Sequence, residues 1–342
     1  MRVGVISHTL GGRGGIERTV ELQVRALRTR GHDVALLSGP TLGNGWLARA
    51  VSAGTLALLP SRRLGDCDVL LAHYPPAPQV AHRTGRPYVH FLHHPLRAAY
   101  PTSTQRQRAR YRVWSAMGAT LMSVDAAGVR GAARVAVPSP SVAREVERIY
   151  GVTPTVLPIG VDLQQLQPGG GDRHGPLLFV GRPQEPYKRL DVALDVARQL
   201  NRPLHIVGRA GPHVVDDVDA VWRGYLTGEA LAECYRQASV LLFPSVHEDF
   251  GLVPLEAMAC GLPVVGWDDG HGPSTTLAGG SGGLLAPAYD LQAFTNSVKR
   301  ILDDPGLYAQ LSTAGPRWVR DHYSIDSHLD GLIDLLTAAA GS

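Results

Sequence analysis

Two glutamates, Glu248 and Glu256, stand eight positions apart in the run Pro244-Ser245-Val246-His247-Glu248-Asp249-Phe250-Gly251-Leu252-Val253-Pro254-Leu255-Glu256-Ala257-Met258-Ala259-Cys260-Gly261-Leu262-Pro263. The residues before them, Val240 to Phe243, form a continuous apolar run of the kind buried on both faces of a parallel sheet, and Pro244 and Ser245 end it. Helical periodicity begins near Leu252, with Leu255, Met258 and Ala259 on one face and Gly261 and Pro263 as stop signals. The run therefore reads strand, loop, helix. Glu248 falls in the loop at the carboxyl edge of a sheet, and Phe250, Gly251, Leu252 and Val253 fall at a helix start whose backbone N–H groups lack intrahelical acceptors, an arrangement that binds anions. Gly251 permits close backbone approach, and Glu256, about one turn into the helix, can accept hydrogen bonds from sugar hydroxyls. Such a loop would hold a phosphate and a sugar together. The spacing of the two glutamates by itself equally suits a solvated loop followed by an amphipathic helix.

Cations stand at the end of another apolar strand. Leu178-Phe179-Val180-Gly181-Arg182 is followed by Lys188, six residues on, and the two can converge on one diphosphate, Arg as a fork and Lys as a point charge. A third strand end reads Tyr88-Val89-His90-Phe91-Leu92-His93-His94-Pro95-Leu96-Arg97. No Cys or carboxylate accompanies its histidines and strand alternation sends His93 and His94 to opposite faces, so no metal site is expected; His93 is then a substrate contact or a core histidine. Near the N-terminus, Gly11-Gly12-Arg13-Gly14-Gly15-Ile16-Glu17-Arg18 runs into a helix with Ile16, Val20, Val24 and Leu27 on one face, a cradle for an anion or substrate. It is not a dinucleotide fingerprint, because the second strand, Val34-Ala35-Leu36-Leu37-Ser38, ends without an acid.

The elements that must position these groups are legible as alternation. Apolar runs at Val3 to Ser7, Val34 to Ser38, Val69 to His73, Tyr88 to His93, Val135 to Ser139, Thr155 to Ile159, Leu177 to Val180, Leu204 to Val207, Val240 to Phe243 and Val264 to Trp267 are separated by helical patterns. That order predicts an α/β chain with parallel sheets, and 342 residues predict two domains. The turn-rich stretch from Gln167 to Gly175 is the expected link, dividing residues 1–166 from 167–324. Composition is globular, 44% hydrophobic and 18% charged, and the formal charge of +3 gives no reason to expect nucleic acid as a partner. Cys67, Cys234 and Cys260 are widely spaced without a C-x-x-C, which predicts free thiols. With no apolar run of the ~18 to 20 residues a membrane span needs and a strand at the start instead of a leader, a cytoplasmic protein is expected.

The Glu248–Val265 window resembles the E-x7-E signature of retaining glycosyltransferases of the family 4 group, E-x-F-G-x-x-x-x-E-A-M-A-x-G-x-P-V-V, matching at Glu248, Phe250, Gly251, Glu256, Ala257, Met258, Ala259, Gly261, Pro263, Val264 and Val265. Gly14, Gly15, Glu17 and Arg18 look like that group's G-G-x-E-R loop, Gly181, Arg182 and Lys188 like its G-R-x-x-x-x-x-K pattern, and His93, Pro95 and Arg97 like the H-x-P-x-R stretch of its mannosyl-transferring members. Gly224-Tyr225-Leu226 resembles the turn that places the nucleobase, and Ile159-Gly160-Val161-Asp162 the N-G-V-D turn, with Ile159 where Asn is usual. The resemblance implies a GT-B fold, two doubly wound Rossmann-like domains facing across a cleft. The first would bind the acceptor and the second the nucleotide sugar, and a last helix at about 325–340, carrying Leu329, Leu332, Ile333, Leu335 and Leu336, would return to the first domain.

It also implies a reaction. A hexosyl unit would pass from a GDP- or UDP-linked donor to a hydroxyl of a glycan, lipid or small metabolite, with retention and without a cofactor. Arg182 and Lys188 would neutralise the departing diphosphate. Glu248 and His93 would hold donor-sugar hydroxyls, Glu256 the ribose, and Arg97 would face the acceptor. No D-x-D stands at a strand end, so metal independence is expected. One departure is visible: relatives carry G-G-x-x-E where this chain has Asp269-Gly270-His271-Gly272-Pro273-Ser274, and the acid is missing. An epimerase on the same architecture, or a sugar nucleotide binder without turnover, are the rival readings. Arg106, Arg108, Arg110 and Arg112 form two stripes on a helix, either a solvated face or a peripheral contact with an anionic inner membrane surface.

Overall fold

The computed structural model of the chain describes residues 1–7, 15–40, 55–58, 64–96, 100, 118–169, 172–209, 218–279 and 281–342. Gly11 to Gly14, Arg97 and the arginines Arg106, Arg108, Arg110 and Arg112 lie outside them.

Among the described residues the chain runs β1 (Arg2–Ser7), α1 (Gly15–Thr29), β2 (Asp33–Ser38), β3 (Val69–Ala72), α2 (Ala77–Arg83), β4 (Tyr88–Phe91), α3 (Gly118–Arg130), β5 (Arg134–Val137), α4 (Pro140–Tyr150) and β6 (Thr155–Val156). It continues through β7 (Leu177–Val180), α5 (Leu190–Leu200), β8 (Leu204–Val207), β9 (Ala220–Gly224), α6 (Gly228–Gln237), β10 (Val240–Phe243), α7 (Leu252–Ala259), β11 (Val264–Asp268), α8 (Gly272–Thr276), β12 (Gly283–Pro287), α9 (Leu291–Asp303), α10 (Pro305–Tyr323) and α11 (Ile325–Ala340). All strand pairs are parallel, in two six-stranded sheets ordered β2-β1-β3-β4-β5-β6 and β12-β11-β10-β7-β8-β9.

Parallel sheets need cover on both faces, which is why β3, β4, β7 and β10 are buried along their whole length. Where strand order reverses, the loops leaving adjacent strands diverge to opposite faces and open a crevice at the carboxyl ends. In the second sheet the reversal lies between β7 and β10, the strands that lead to Arg182 and to Glu248. In the first it lies between β1 and β3.

The chain divides into two compact units, Met1–Ile159 with Asp326–Ser342, and Gly160–Ile325. The division precedes the glycine-rich stretch, whose described ends pack within the second unit. The Gly169 N–H donates to the Cys260 carbonyl at 3.2 Å. A Cβ on Gly175 would stand 2.2 Å from the Gln237 carbonyl oxygen.

Helix α11 completes the first unit. Leu329, Leu332 and Leu336 are buried, and so is His328. The His328 Nδ1 lies 2.6 Å from the Pro158 carbonyl, which can only accept, so Nδ1 carries the proton and Nε2 accepts from the Gln23 amide of α1 at 2.8 Å. Burial pulls the His328 pKa down to about 4 and that of His90, on β4, to about 3. Burial acts in the opposite direction on Asp125 of α3, raised to about 6, although the Tyr150 hydroxyl donates to it at 2.5 Å. No helix of the described residues is long and apolar enough to cross a membrane.

These three groups set an acid response. Below the ordinary histidine value of 6.5 the unfolded chain takes up protons at positions 90 and 328 while the fold refuses them down to about 3 and about 4, so stability falls with pH; Asp125, protonated first in the fold, offsets part of the loss. Each histidine contributes about 2 kcal/mol of loss between pH 7 and pH 5 and Asp125 returns about 1 kcal/mol. Urea unfolding should therefore show a net loss of at least about 3 kcal/mol at pH 5, since the buried His93 adds in the same direction, and a smaller loss in His90→Asn; equal stability at both pH values would mean that these groups titrate normally.

Candidate functional site

The end of β7 and the end of β10 are tied by backbone before any side chain acts. After β7 a single 3-10 turn, Pro186–Lys188, reverses the chain, and Arg189 at φ 52° passes it into α5. The Val246 N–H, two residues before Glu248, donates to the Tyr187 carbonyl at 2.9 Å. That bond sets Lys188 beside the loop after β10, and the Lys188 ammonium donates to the Glu248 carboxylate. Lys188 is 10% exposed and Glu248 22%, so this is a partly dry ion pair rather than a surface one. The ammonium also lies 5.3 Å from the centre of the Tyr187 ring and 5.4 Å from that of Phe243.

Arg182 donates to the Tyr187 hydroxyl at 2.6 Å. Burial raises the Tyr187 pKa against the lowering effect of Lys188 and Arg182, so the phenol stays protonated and acts as a neutral brace. Gly181 closes β7 with its N–H on the Val207 carbonyl at 3.0 Å. Gly208 faces it so closely that a Cβ there would stand 2.1 Å from the Gly181 oxygen. Strand β9 ends in a turn at Gly224, φ 71°, whose carbonyl accepts from the Gly208 N–H at 2.8 Å; Tyr225 follows, 36% exposed.

On the β10 side, Gly251 at φ 93° caps α7, a backbone that disfavours a side chain. No side chain caps the helix start, and Pro254 has no N–H to offer, so Leu252 and Val253 carry its free donors. Phe250 is buried, its ring centre 6.0 Å from that of Tyr323. Glu256 is buried too, not a surface glutamate, and one of its oxygens accepts from the Tyr235 hydroxyl of α6 at 2.9 Å.

The loop after β11 braces the loop after β10. The Trp267 indole N–H donates to the Pro244 carbonyl at 2.9 Å, and the Gly272 N–H to the Glu248 carbonyl at 2.8 Å. Ser274, where an acid was missed in the sequence, accepts from the Gly270 N–H at 2.9 Å. Asp269 bonds the His247 N–H through one oxygen at 2.8 Å and the His271 N–H through the other at 3.1 Å, and His247 Nδ1 meets His271 Nε2 at 3.0 Å.

In the first unit, β4 ends at Phe91, so His93 lies beyond the strand whose alternation was to orient it. His93 is buried; its Nε2 lies 3.2 Å from Nδ1 of His73, and its ring stacks on that of His73 at 5.4 Å. Burial above all, then the neighbouring His73, His94, His90 and His328, holds its pKa well below the ordinary value, so the ring is neutral. Gly15 is the first residue of α1, its carbonyl bonded by the Thr19 hydroxyl at 2.9 Å.

The second unit thus gathers Gly181, Arg182, Lys188, Glu248 and the start of α7 around one strand-order reversal, while His93 and Gly15 belong to the first. Tyr187, Tyr235, Gly208, Gly272 and the His247, Asp269, His271 group escaped sequence reasoning. Tyr187 was within reach, one residue before Lys188; nothing in spacing joins Tyr235 to Glu256.

Residues 175–304 match the family described as glycosyl transferases group 1, and residues 13–165 match glycosyltransferase family 4. The chain is 29% identical over 342 residues to a D-inositol 3-phosphate glycosyltransferase of Salinispora arenicola, covering 86% of this chain and 73% of that protein. A protein of the same name from Acidothermus cellulolyticus is 29% identical, with 88% and 80% covered. In fold the chain is similar to sucrose-phosphate synthase from Thermosynechococcus elongatus, with a TM-score of 0.79 at 20% identity and 98% of both chains covered. Anabaena HepE in complex with UDP and glucose gives 0.75 at 16% identity, covering 99% of this chain and 100% of that one. The two Rossmann-like units are those of a GT-B glycosyltransferase.

Gly272 offers a test of the loop brace. A Cβ there would sit 2.4 Å from the Phe250 carbonyl oxygen. Gly272→Ala should cost about 1–3 kcal/mol in urea unfolding, as backbone overpacking does, whereas an unchanged midpoint would show that the two loops part easily.

Proposed function

We propose, for a chain that belongs to the glycosyltransferases of group 1 and family 4, the transfer of a hexosyl unit from a nucleoside diphosphate sugar to a hydroxyl acceptor with retention of the anomeric configuration. The observation that carries this reading is the joining of Lys188 to Glu248, with Arg182 beside them, at the carboxyl ends of β7 and β10 where strand order reverses.

As the bond between the anomeric carbon and the diphosphate breaks, negative charge gathers on the departing oxygen and oxocarbenium character on the sugar. Arg182, Lys188 and the free N–H groups of Leu252 and Val253 meet the first charge by fixed electrostatics, with no metal in that role. Glu248 holds the sugar through its hydroxyls, Glu256 the ribose, and Tyr225 lies beside the base. Neither glutamate suits a covalent nucleophile, since Glu248 is paired with Lys188 and Glu256 is bonded to Tyr235. A same-face route follows: the acceptor oxygen bonds to the anomeric carbon on the face the diphosphate leaves, and a diphosphate oxygen takes the hydroxyl proton. His93, being neutral, would serve as a hydrogen-bonding contact to a sugar hydroxyl.

In this reading the second unit binds the donor, with Gly14 and Gly15 of the first also on the donor side, and the first unit, with Arg97, binds the acceptor. The UDP and UDP-glucose complexes of the HepE protein favour a UDP-linked donor, and the H-x-P-x-R resemblance a GDP-linked one. The relatives' name makes a phosphorylated inositol the first acceptor to try.

The test is calorimetric titration with UDP, GDP and dTDP, without added metal, of the native chain beside Arg182→Ala, Lys188→Met and Glu256→Ala. One nucleotide should bind, at least about tenfold more weakly in each variant, and Lys188→Met should lower turnover about 100- to 1,000-fold, the scale for losing one preorganised charge partner. Binding of none would sink the reading. Binding without acceptor-dependent release of nucleotide would leave a sugar nucleotide binder, and an altered donor sugar would indicate an epimerase.

Gly181→Ala separates folding from binding. Its Cβ would meet nothing closer than Phe179 and Lys188 side-chain atoms, at 3.6 and 3.7 Å, so stability should stay within about 0.5 kcal/mol of native. Nucleotide affinity should nonetheless fall, because the methyl would stand where the diphosphate approaches the backbone; unchanged affinity would move the diphosphate elsewhere.

A further inference from the structure

His247, Asp269 and His271 do not enter the reaction above. They lie on two different loops, after β10 and after β11, yet one ligand atom from each falls within 4.8 Å of the others. His247 Nδ1 and His271 Nε2 already face each other at 3.0 Å, with rings nearly perpendicular at 84°. A tetrahedral zinc ion, with bonds of about 2.0–2.2 Å, places its ligand atoms about 3.4 Å apart. The two nitrogens therefore need only separate slightly to share an ion, and about an ångström of movement by the Asp269 carboxylate closes the third bond.

That carboxylate is aimed before any ion arrives. Its two oxygens accept the backbone N–H groups of the same two histidines, and each oxygen retains a second lone pair. His247 is held at φ 53°, an uncommon conformation for a residue with a side chain. All three side chains are half-buried, within reach of solvent, which would supply the fourth ligand.

We propose that His247, Asp269 and His271 form a site for a divalent transition-metal ion of the zinc class. Two imidazoles and one carboxylate suit zinc, cobalt or nickel and not magnesium, which prefers oxygen ligands. The ion would clamp the loop that carries Glu248 to the loop that braces it, outside the chemistry of transfer. His271 stands where relatives carry the second glycine of G-G-x-x-E, so the departure noted in the sequence gains a use.

The test titrates the metal-stripped full chain with zinc chloride by calorimetry and with cobalt chloride by visible absorption, beside His271→Ala, His247→Asn, Asp269→Asn and the His247→Asn, His271→Ala double variant. Far-UV circular dichroism of each variant checks the fold, and His271 makes no side-chain cap on α8 that its removal would cost. One equivalent of zinc should bind the native chain, about tenfold more weakly in each single variant and about 100-fold in the double. Cobalt should give the intense visible bands of a four- or five-coordinate complex, and magnesium should neither bind nor compete. Absence of stoichiometric zinc binding to the native chain, or equal affinity in the double variant, would overturn the proposal and leave a hydrogen-bonded loop staple. The readout involves no nucleotide, so it stands or falls apart from the transferase reading.

Discussion

A lysine ammonium removed from water needs an anion beside it, and at 10% exposure Lys188 is under that constraint. Its partner, Glu248, lies 60 residues further along the chain, in the loop after β10. The pair can form only if β7 and β10 are neighbours, which the parallel sheet order provides, and only if the loop after β10 folds back on the turn after β7, which the Tyr187 carbonyl enforces. Trp267 and Gly272 then hold that loop from its other side. Under the proposed function, a diphosphate entering here would meet a cation already paired with the carboxylate proposed to hold the sugar, and donor charge and donor sugar would be read by one connected pair.

The first unit handles its buried polar groups by the opposite means. His90, His93 and His328 are kept neutral by desolvation, and their value lies in hydrogen bonds rather than charge. The His328 tautomer is dictated by the Pro158 carbonyl, and that choice is what lets Gln23 fasten α11 to α1. A proton on any of these rings would break such an arrangement as surely as a substitution would.

The sequence was most readable where burial was complete. Strands β3, β4, β7 and β10 carry apolar residues on both faces and stand out as unbroken runs. The edge strands β9 and β12 did not: β9, Ala-Val-Trp-Arg-Gly, is half in water, and β12, Gly-Leu-Leu-Ala-Pro, contains the residues that usually mark turns. The residues proposed for donor binding in the second unit stand out in sequence because they sit in short motifs at strand ends. What joins them was not, since Tyr235 meets Glu256 and Asp269 meets His247 across distances in sequence that no periodicity spans. The glycine-rich stretch misled for a related reason, because turn-forming composition marks a bend without saying whether the bend is packed.

The route of the chain has a consequence for synthesis. Residues 160–325 form a unit whose segments are contiguous, while the first unit needs Asp326–Ser342 in addition to residues 1–159. On the ribosome the second unit therefore has its full complement of residues before the first does. Until α11 emerges, Gln23 and the Pro158 carbonyl wait without His328, and the apolar surface that Leu329, Leu332 and Leu336 will cover stays open. The half of the molecule made first is the last able to close.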